Sequence, residues 1–312
     1  MKPRIFIDGE HGTTGLQIRE RLGSRDDIEL LSLAVEDRRD DAKRQEMLSS
    51  CDVAILCLPD DAAREAVAMI EAGGNDDCKI IDTSTAHRTS NGWIYGFAEL
   101  GPKQADKIRN SKRVSNPGCY STGAIALLKP LIKTGVMPKD CMVTINAVSG
   151  YTGGGKNLIA QMEDESRDDH IETAFHLYAL TLNHKHVPEI ITRSGLTKRP
   201  LFMPGVGRFP QGMLVSIPLH LEQLQYASAD TVRGALEVRY DGGDFVSVAS
   251  KQECASVSHI RPEDFAGRDD MKLWVLGGED TGHINLVAQL DNLGKGASGA
   301  AVQNLNLMLG QA

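Results

Sequence analysis

The sequence is poor in the features that mark secreted, metal-binding or membrane proteins. Its six cysteines include no Cys-x-x-Cys pair and stand at positions 51, 57, 78, 119, 141 and 254. This scatter argues against a disulfide framework and a thiolate zinc site, and it is typical of a reducing compartment. No apolar run approaches the length of a membrane span, so we expect no membrane association.

The chain also lacks an excess of positive charge and a long apolar segment near its start. With 34 Lys and Arg against 42 Asp and Glu, its formal net charge is −8, which argues against a nucleic-acid partner. The first four residues lead straight into a strand pattern, so we expect no secretory signal and a cytoplasmic location. The length of 312 residues suggests roughly two domains.

The first third of the chain contains a regular alternation of short apolar strands and amphipathic helices. The residues predict strands at 4–8, 28–33, 53–58 and 79–82, and helices from residue 16 to 22, at 41–50 and at 61–71. The continuous apolar run at 53–58 is expected of a strand that is covered on both faces. Alternation at this spacing predicts an α/β fold with a Rossmann-like, doubly wound parallel sheet.

A glycine-rich turn follows the first predicted strand. Gly9, Gly12 and Gly15 lie where such a sheet binds a dinucleotide, because glycines let the backbone approach a pyrophosphate at a helix N-terminus. The hydroxyls of Thr13 and Thr14 can donate to phosphate. Because the spacing departs from Gly-x-Gly-x-x-Gly, an ordinary glycine-rich turn remains the alternative.

The residues after the second predicted strand bear on the choice between NAD and NADP. An acid at this position accepts from a ribose 2′-hydroxyl, whereas an arginine binds a 2′-phosphate. Glu36 and Asp37 are followed by Arg38 and Arg39. Two adjacent guanidinium groups, whose fork geometry suits phosphate, favour NADP(H) as the cofactor. The alternative is a solvated run of charges ahead of a helix.

The loop after the fourth predicted strand offers an anion site. Ligands of open α/β sheets bind at the carboxyl ends of strands, and Ser84 and Arg88 follow such an end. A guanidinium is a strong, charge-assisted donor to phosphate or carboxylate. A surface arginine with no ligand is the alternative.

A single cysteine lies where a strand gives way to a helix. Pro117 and Gly118 force a change of direction, and apolar residues then recur at helical spacing from Ala124 to Ile132. Cys119 is therefore expected at or near a helix N-terminus, where free N–H groups and the helix dipole favour the thiolate. A buried structural cysteine is the alternative.

Beyond this helix the pattern changes to alternating strands at 141–148, 213–221 and 283–291. They predict a second, α+β domain with a mixed or antiparallel sheet, and we place it at 118–292. The first domain is then 1–117 with 293–312, because the closing helix at 295–309 is expected to pack back on it. The glycine-rich segment 149–156 is expected to form a mobile loop.

Two histidines in this second domain are candidates for acid–base chemistry. His184 and His186 stand two positions apart and are followed by Glu189. This spacing suits a helix-face metal site poorly, and we expect no metal. A histidine near a cysteine can serve as general base and acid, and a carboxylate can orient it. Each histidine taken alone can also be an ordinary surface or hydrogen-bonded polar residue.

Together these residues resemble one family, the N-acetyl-gamma-glutamyl-phosphate reductases. The resemblance covers essentially the whole chain and is carried by the segments SNPGCYSTGA at 115–124, HKHVPEI at 184–190 and DNLGKGASGAAVQN at 291–304. The chain length and the segment PGVGRFPQG at 204–212 resemble the shorter form of this family. Aspartate-semialdehyde dehydrogenase is a relative in fold and chemistry, and its cysteine and histidine motifs match less well.

The resemblance implies a reaction and roles for these residues. An acyl phosphate is reduced by NADPH in arginine biosynthesis, and Cys119 forms a thioester with the acyl group. His186 is then the first choice for general acid and base, His184 the second, and Glu189 the residue that orients the imidazole.

The resemblance also implies residues that bind substrate and cofactor. Arg88 matches the family's anion-binding position, and Ser84 lies in the same loop. Asn116 lines the same pocket, and Asn292 in the closing motif contacts the nicotinamide. Where the family's long form usually has an arginine before Gly212, this chain has Gln211, so Arg208 is only a candidate for binding the substrate carboxylate or acetyl group. A homo-oligomer, dimer or tetramer, is expected.

Three other functions are open at this point. The chain can be an aspartate-semialdehyde dehydrogenase-like reductase of another acyl phosphate. It can be a non-catalytic redox sensor that binds NADP, although a sensor needs no acid–base partner for its cysteine. It can also be a thiol hydrolase or acyltransferase, although such enzymes need no dinucleotide.

Overall fold

The computed structural model describes residues 1–225 and 228–311. By contacts the chain divides into two compact units. Unit 1 comprises residues 1–98, 103–117 and 297–311, and unit 2 comprises 99–102 with the described part of 118–296. The predicted domains differ from these units in assigning 99–102 and 293–296 to the first domain, and the domain boundaries stay a prediction.

The described residues form thirteen strands. They are β1 (Arg4–Asp8), β2 (Glu29–Leu31), β3 (Val53–Leu56), β4 (Lys79–Asp82), β5 (Ile94–Tyr95), β6 (Arg113–Ser115), β7 (Thr144–Gly150), β8 (Phe175–Leu177), β9 (Leu201–Gly207), β10 (Met213–His220), β11 (Val246–Val248), β12 (Met271–Gly278) and β13 (His283–Leu290).

Ten α-helices accompany the strands in the same described ranges. They are α1 (Thr13–Leu22), α2 (Asp41–Ser50), α3 (Asp60–Ala72), α4 (Gln104–Arg109), α5 (Cys119–Thr134), α6 (Gly155–Glu163), α7 (Val187–Ser194), α8 (Ala229–Tyr240), α9 (Lys251–Ser256) and α10 (Gly299–Leu309). Among them, none is both long and apolar enough to cross a membrane.

Unit 1 is built on a six-stranded sheet in the order β2-β1-β3-β4-β6-β5. Each neighbouring pair is parallel, as strand–helix alternation requires. The residues of β3 are all buried, because helices cover both faces of the sheet. The predicted doubly wound parallel sheet is confirmed.

The closing helix α10 belongs to unit 1. Its buried residues Ala301, Leu305 and Met308 join the apolar cluster that contains Ile5 and Ile18. From the sequence, this end of the chain is expected to pack back on the first domain, and that domain assignment stays a prediction. The helix begins at Gly299 and not at residue 295 as predicted, because Gly294–Ser298 form one π-helical turn before it.

Unit 2 is built on a seven-stranded mixed sheet in the order β11-β12-β13-β10-β7-β9-β8. Its pairs are antiparallel apart from β11 with β12 and β7 with β9. The predicted mixed sheet is confirmed, with strand ends displaced by a few residues. The predicted strand at 141–148, for example, runs from Thr144 to Gly150.

Helix α5 lies against the centre of this sheet and is buried along nearly its whole length. Gly123 makes the approach possible, since a Cβ at this position would lie 2.9 Å from Cγ2 of Val215 on β10. The helix is therefore fixed by close packing, and its first residue, Cys119, is held at a set place beside the sheet.

The glycine-rich segment 149–156 differs from its sequence prediction of a loop. It ends β7, makes a short helical turn at Tyr151–Gly154 and then enters α6. A Cβ at Gly150 would lie 2.4 Å from the carbonyl oxygen of Pro210. Gly150 therefore allows two backbone segments to make close contact. Composition alone does not distinguish this role of glycine from flexibility.

A buried ion pair joins the end of β1 to α2. Nη2 of Arg44 donates to Oδ2 of Asp8 at 2.9 Å, and both side chains are less than a tenth exposed. Asp8 directly precedes the glycine turn, so the pair fixes the chain where the turn begins. Removing one partner would leave a buried charge without compensation.

Replacing Arg44 by Met is therefore expected to lower the free energy of unfolding by about 3–5 kcal/mol, measured by urea denaturation. The double variant Arg44→Met/Asp8→Asn should regain part of that loss, because it buries no lone charge. Arg64→Met, which breaks the exposed pair with Asp61, is the matched control and should have little effect. Equal losses in Arg44→Met and Arg64→Met would contradict this account.

Candidate active site

The candidate nucleophile begins a helix, as the sequence predicts. Cys119 is the first residue of α5 and is partly exposed, and Gly118 at the N-cap provides no side-chain cap. The N–H groups of this first turn and the positive end of the helix dipole lie at the thiol. This environment favours the thiolate over the neutral thiol.

A second helix N-terminus meets this one within unit 2. His186 is the N-cap of α7, and Glu189 lies in its first turn. The Glu189 carboxylate accepts from the backbone N–H of Gly118 and from the hydroxyl of Ser121, at 2.9 Å each. Glu189 is 2% exposed. Its carboxylate thus ties the start of the histidine helix to the start of the cysteine helix.

His184 is held by hydrogen bonds at both ring nitrogens. Its Nδ1 accepts from the backbone N–H of His186 at 3.1 Å, and its Nε2 lies 3.2 Å from the hydroxyl of Tyr178. Because Nδ1 acts as an acceptor, the proton of the neutral ring lies on Nε2. Both nitrogens of His184 are therefore engaged in holding this cluster together.

The two imidazoles pack in an aromatic cluster with Tyr120, the residue that follows Cys119. Their ring centroids are 4.6 Å apart. The ring of Tyr120 lies 6.0 Å from that of His184 and 5.9 Å from that of His186. Both histidines are buried. Through Tyr120 and Glu189, the two histidines are thus packed at the start of the helix that Cys119 begins, and the predicted catalytic roles stay predictions.

Two tyrosines that are not among the predicted site residues, Tyr120 and Tyr178, complete this cluster. Burial raises the pKa of Tyr120 and of Tyr178, and negative charge on Cys119 adds to each rise. Both phenols therefore stay protonated at neutral pH. Tyr120 donates to the carbonyl of Gly205 at 3.0 Å. Tyr178 had no sequence signal, because its contact with His184 depends on the turn between them.

The glycine turn of unit 1 is tightly packed against backbone carbonyl groups. Gly9 has φ of +90°, and a Cβ there would lie 2.4 Å from the carbonyl oxygen of Cys57. A Cβ at Gly15 would lie 2.3 Å from the oxygen of Gly9. Side chains at Gly9 and Gly15 are therefore excluded, and the turn requires glycine at both positions.

The polar groups of this turn also fit a phosphate. Gly12 caps α1 without a side-chain hydrogen bond, so the first N–H groups of the helix are not capped by the chain itself. The Thr13 hydroxyl is buried and has no hydrogen-bond partner among the described residues. Thr14 follows it and is partly buried. Buried donors without partners at a helix N-terminus fit the pyrophosphate of a nicotinamide dinucleotide.

Of the acidic residues near the end of β2, Asp37 and Glu10 are engaged, whereas Glu36 is exposed. Asp37 forms an ion pair with Lys43 at 2.6 Å. Glu10, from the glycine turn, accepts from Arg19 at 2.7 Å and from the Ser32 hydroxyl at 3.0 Å. Arg38 and Arg39 are exposed. Two guanidinium groups and the carboxylate of Glu36 are therefore exposed at this position.

The predicted substrate residues of unit 1 are hydrogen-bonded to the chain. Arg88 is buried and donates to the carbonyls of Asn116 at 3.0 Å and Thr83 at 2.9 Å. Ser84 donates to Asp82 at 2.8 Å. The Asn116 amide donates to the carbonyl of Ala297 at 2.9 Å. These contacts fix the loop after β4, and the predicted roles in substrate binding stay predictions.

The two candidates of unit 2 are likewise engaged. Asn292 accepts from the N–H of Gly212 at 2.9 Å and donates to the Thr152 hydroxyl at 3.0 Å. The exposed Arg208 donates to the carbonyls of Ile171 and Met162. These contacts lie among backbone and hydroxyl groups and do not include the Cys119 cluster. The predicted contact of Asn292 with the nicotinamide stays a prediction.

Across the described parts of the chain, no group of three or more His, Cys, Asp and Glu side chains is arranged to hold a metal ion. Unit 2 thus carries a cysteine, two histidines and a carboxylate, and unit 1 carries a glycine turn whose polar groups fit a phosphate. Such a combination is typical of an enzyme that reduces or oxidises a substrate through a cysteine adduct.

Two family profiles match this chain. The profile "Semialdehyde dehydrogenase, NAD binding domain" matches residues 4–108, and "Semialdehyde dehydrogenase, dimerisation domain" matches residues 119–292. The chain belongs to the semialdehyde dehydrogenase family, a class of NAD(P)-binding oxidoreductases.

Curated relatives narrow the assignment within that family. Proteins of Allorhizobium ampelinum and Brucella ovis are each 55% identical to this chain, over 99% and 100% of both sequences. A protein of Rhizobium meliloti is 56% identical over 99% of both. All three are named N-acetyl-gamma-glutamyl-phosphate reductase, and the chain is a member of that group.

Solved structures share the fold at low sequence identity. Aspartate semialdehyde dehydrogenase II of Vibrio cholerae, complexed with ASA, is 16% identical with a TM-score of 0.74, covering 99% of this chain and 98% of its own. The enzyme of Candida albicans with NADP is 13% identical with a TM-score of 0.64, covering 100% and 99%. These likenesses show that the two-unit fold is common to both groups of enzymes.

Proposed function

We propose that the chain catalyses the NADPH-dependent reduction of N-acetyl-glutamyl 5-phosphate to N-acetyl-glutamate 5-semialdehyde and phosphate, a step of arginine biosynthesis. The observation that carries the proposal is the position of Cys119 at the N-terminus of α5, where the next residue, Tyr120, packs against two buried imidazoles. Relatives that share more than half of its residues bear the name of this activity. The predicted cytoplasmic location stays a prediction.

The first chemical step belongs to Cys119 and His186. The imidazole of His186 accepts the thiol proton, and the thiolate sulfur attacks the acyl carbon of the substrate. A carbon–sulfur bond forms, the carbon–oxygen bond to phosphate breaks, and phosphate leaves with its electron pair. A thioester on Cys119 results, which divides one difficult reduction into two easier steps.

The second step reduces this thioester and releases the aldehyde. Bound NADPH supplies the hydride. The protonated His186 gives its proton to the oxygen of the reduced adduct and forms a hemithioacetal on Cys119. His186 then takes the hydroxyl proton back while the carbon–sulfur bond breaks, which releases the aldehyde and restores the thiolate.

The geometry supports His186 over His184 as the acid and base. Both nitrogens of His184 are engaged, one by the N–H of His186 and one by Tyr178. A ring held in this way is suited to positioning its neighbour. We therefore assign proton transfer to His186, and to Glu189 the role of holding the two helix starts together.

The glycine turn of unit 1 would hold the pyrophosphate of the cofactor through its backbone and the Thr13 hydroxyl. We infer that Arg38 and Arg39 bind the 2′-phosphate of NADP. The engagement of Asp37 by Lys43 supports this choice, because it reduces the capacity of that carboxylate to accept from a 2′-hydroxyl.

We propose further that the chain forms a homodimer through the open face of the unit 2 sheet. Exposed apolar side chains share one side of the pleat on β8 and β9: Phe175, Leu177, Leu201 and Met203. The profile that matches 119–292 is described as a dimerisation domain. A second copy of this chain is therefore the occupant that the apolar face fits.

The proposed reaction can be measured in reverse by nicotinamide absorbance, with NADP, phosphate and N-acetyl-glutamate 5-semialdehyde. We expect reduction of NADP that depends on phosphate and is absent with aspartate semialdehyde. Cys119→Ser should lose nearly all turnover and keep cofactor binding, because an alcohol is a poor nucleophile at its ordinary pKa. Preferential use of aspartate semialdehyde would transfer the chain to the aspartate-semialdehyde dehydrogenase-like alternative.

The two histidines should respond differently to substitution. His186→Ala is expected to lower kcat on the order of 10²–10⁴-fold, the range for a positioned acid and base. His184→Asn should cost less, because an amide can replace one of its hydrogen bonds. The pH profile of kcat should lose its lower limb in His186→Ala alone. A larger loss in His184→Asn would reverse the two roles.

The cofactor preference is tested by Arg38→Ala/Arg39→Ala. This variant should raise KM for NADPH about tenfold or more and leave KM for NADH nearly unchanged, because only NADPH carries the 2′-phosphate. Arg64→Ala, an exposed arginine on α3, is the control and should change neither value. An equal rise for both cofactors would remove the 2′-phosphate assignment.

The dimer face is tested by light scattering at micromolar concentration. The wild-type chain should have at least twice the monomer mass, and Leu201→Glu/Met203→Glu should shift it toward the monomer, because charge at the centre of an apolar interface is costly. Val238→Glu, another exposed apolar residue in the same unit, is the control. A monomeric wild type, or an oligomer unaffected by the double substitution, would contradict this interface.

A further inference from the structure

The residues 291–296, called here the closing segment, pack beside Cys119 within unit 2. Gly296 is the point of contact, since a Cβ there would lie 2.8 Å from Cβ of Cys119 and 2.9 Å from the carbonyl oxygen of Asp291. The N–H of Gly296 donates to that same carbonyl at 2.9 Å. The nucleophile therefore rests directly on the backbone of this segment, with no room for a side chain between them.

The start of the closing segment is fixed by a buried carboxylate. Asp291 is 0% exposed. Its Oδ2 accepts from the N–H of Gly267 at 2.7 Å, and its Oδ1 accepts from the N–H of Leu293 at 3.1 Å. At Gly294, a Cβ would lie 1.9 Å from the carbonyl oxygen of Arg268. The segment is thus enclosed between the 267–268 backbone and Cys119.

The end of the segment is fixed by a buried ion pair. Nζ of Lys295 donates to Oε2 of Glu99 at 2.8 Å and lies 4.9 Å from the centre of the Phe245 ring. Lys295 is 1% exposed. A lysine this deep is rare unless it is paired. Its place beside Gly296 makes the pair the anchor of the residue on which Cys119 rests.

We propose that Lys295 is a positioning residue for Cys119: its ion pair with Glu99 fixes the closing segment, and Gly296 in turn holds the thiol at the start of α5. The proposal deepens the proposed function, since it rests on Cys119 as the nucleophile. A displacement of about 1 Å at a reacting group can cost on the order of 10²-fold in rate, so such an anchor is significant for catalysis.

The pH dependence of Cys119 alkylation by iodoacetamide tests this without substrate or cofactor. The rate is followed on the Cys119 peptide by mass spectrometry, so that the other cysteines do not interfere. Lys295→Met should raise the midpoint pH of alkylation by about one unit, because the thiol leaves the helix N-terminus that favours its thiolate. It should lower kcat about 10- to 100-fold and change KM for NADP less than twofold.

The variant Glu99→Gln distinguishes the electrostatic effect of the Lys295 charge from the role of Lys295 as an anchor. This variant removes a negative charge, and Lys295→Met removes a positive one. Electrostatics alone would therefore move the alkylation midpoint in opposite directions, whereas loss of the anchor raises it in both. Lys295→Arg should restore more than half of kcat, because it keeps the ion pair. Lys272→Met, which breaks the more exposed pair with Glu253, is the matched control.

Gly296→Ala tests the contact itself with the ion pair intact, and it should also raise the midpoint. If Lys295→Met does not fold, as judged by circular dichroism, Glu99→Gln and Gly296→Ala decide the question.

Three results would each overturn the proposal. They are folded variants with wild-type midpoint and kcat, opposite shifts in the two charge variants, and an equal effect of Lys272→Met. A wild type without phosphate-dependent NADP reduction would refute the proposed function, and the alkylation data would still report on the anchor.

Discussion

The buried carboxylate of Glu189 is the interaction on which the catalytic arrangement depends. It accepts from the backbone of Gly118 and the hydroxyl of Ser121, and so joins α7 to the N-terminus of α5. A carboxylate taken out of water needs such donors, and the uncapped first turn of a helix provides them. One buried charge thereby brings the histidines and the cysteine into a fixed relation.

The rest of unit 2 maintains this relation from two sides. On one side, α5 packs closely against the sheet, because Gly123 lets the helix approach β10. The closing segment contacts Cys119 at Gly296, where no side chain fits. The nucleophile is therefore positioned by backbone packing on both sides, and the polar groups around it tune its chemistry.

Glycine has a different function in each part of this chain. At Gly9 a positive φ and the nearby Cys57 carbonyl exclude any side chain, so the turn requires glycine there. At Gly150 and Gly296 the dihedrals are ordinary, and close contact with another part of the chain is the constraint. The glycine-rich segment 149–156 was wrongly predicted as a loop for this reason.

The sequence by itself determined the fold class, the cysteine at a helix start and the group of enzymes. Periodicity, glycine turns and the motifs at 115–124 and 184–190 are local patterns, so they can be recognised in the sequence alone. It did not reveal Tyr178, the Lys295–Glu99 pair or the engagement of both His184 nitrogens. Those depend on contacts between residues far apart in the chain or across a turn whose shape composition does not specify. Only the tertiary structure decides them, because burial and hydrogen-bond partners are properties of the packed chain.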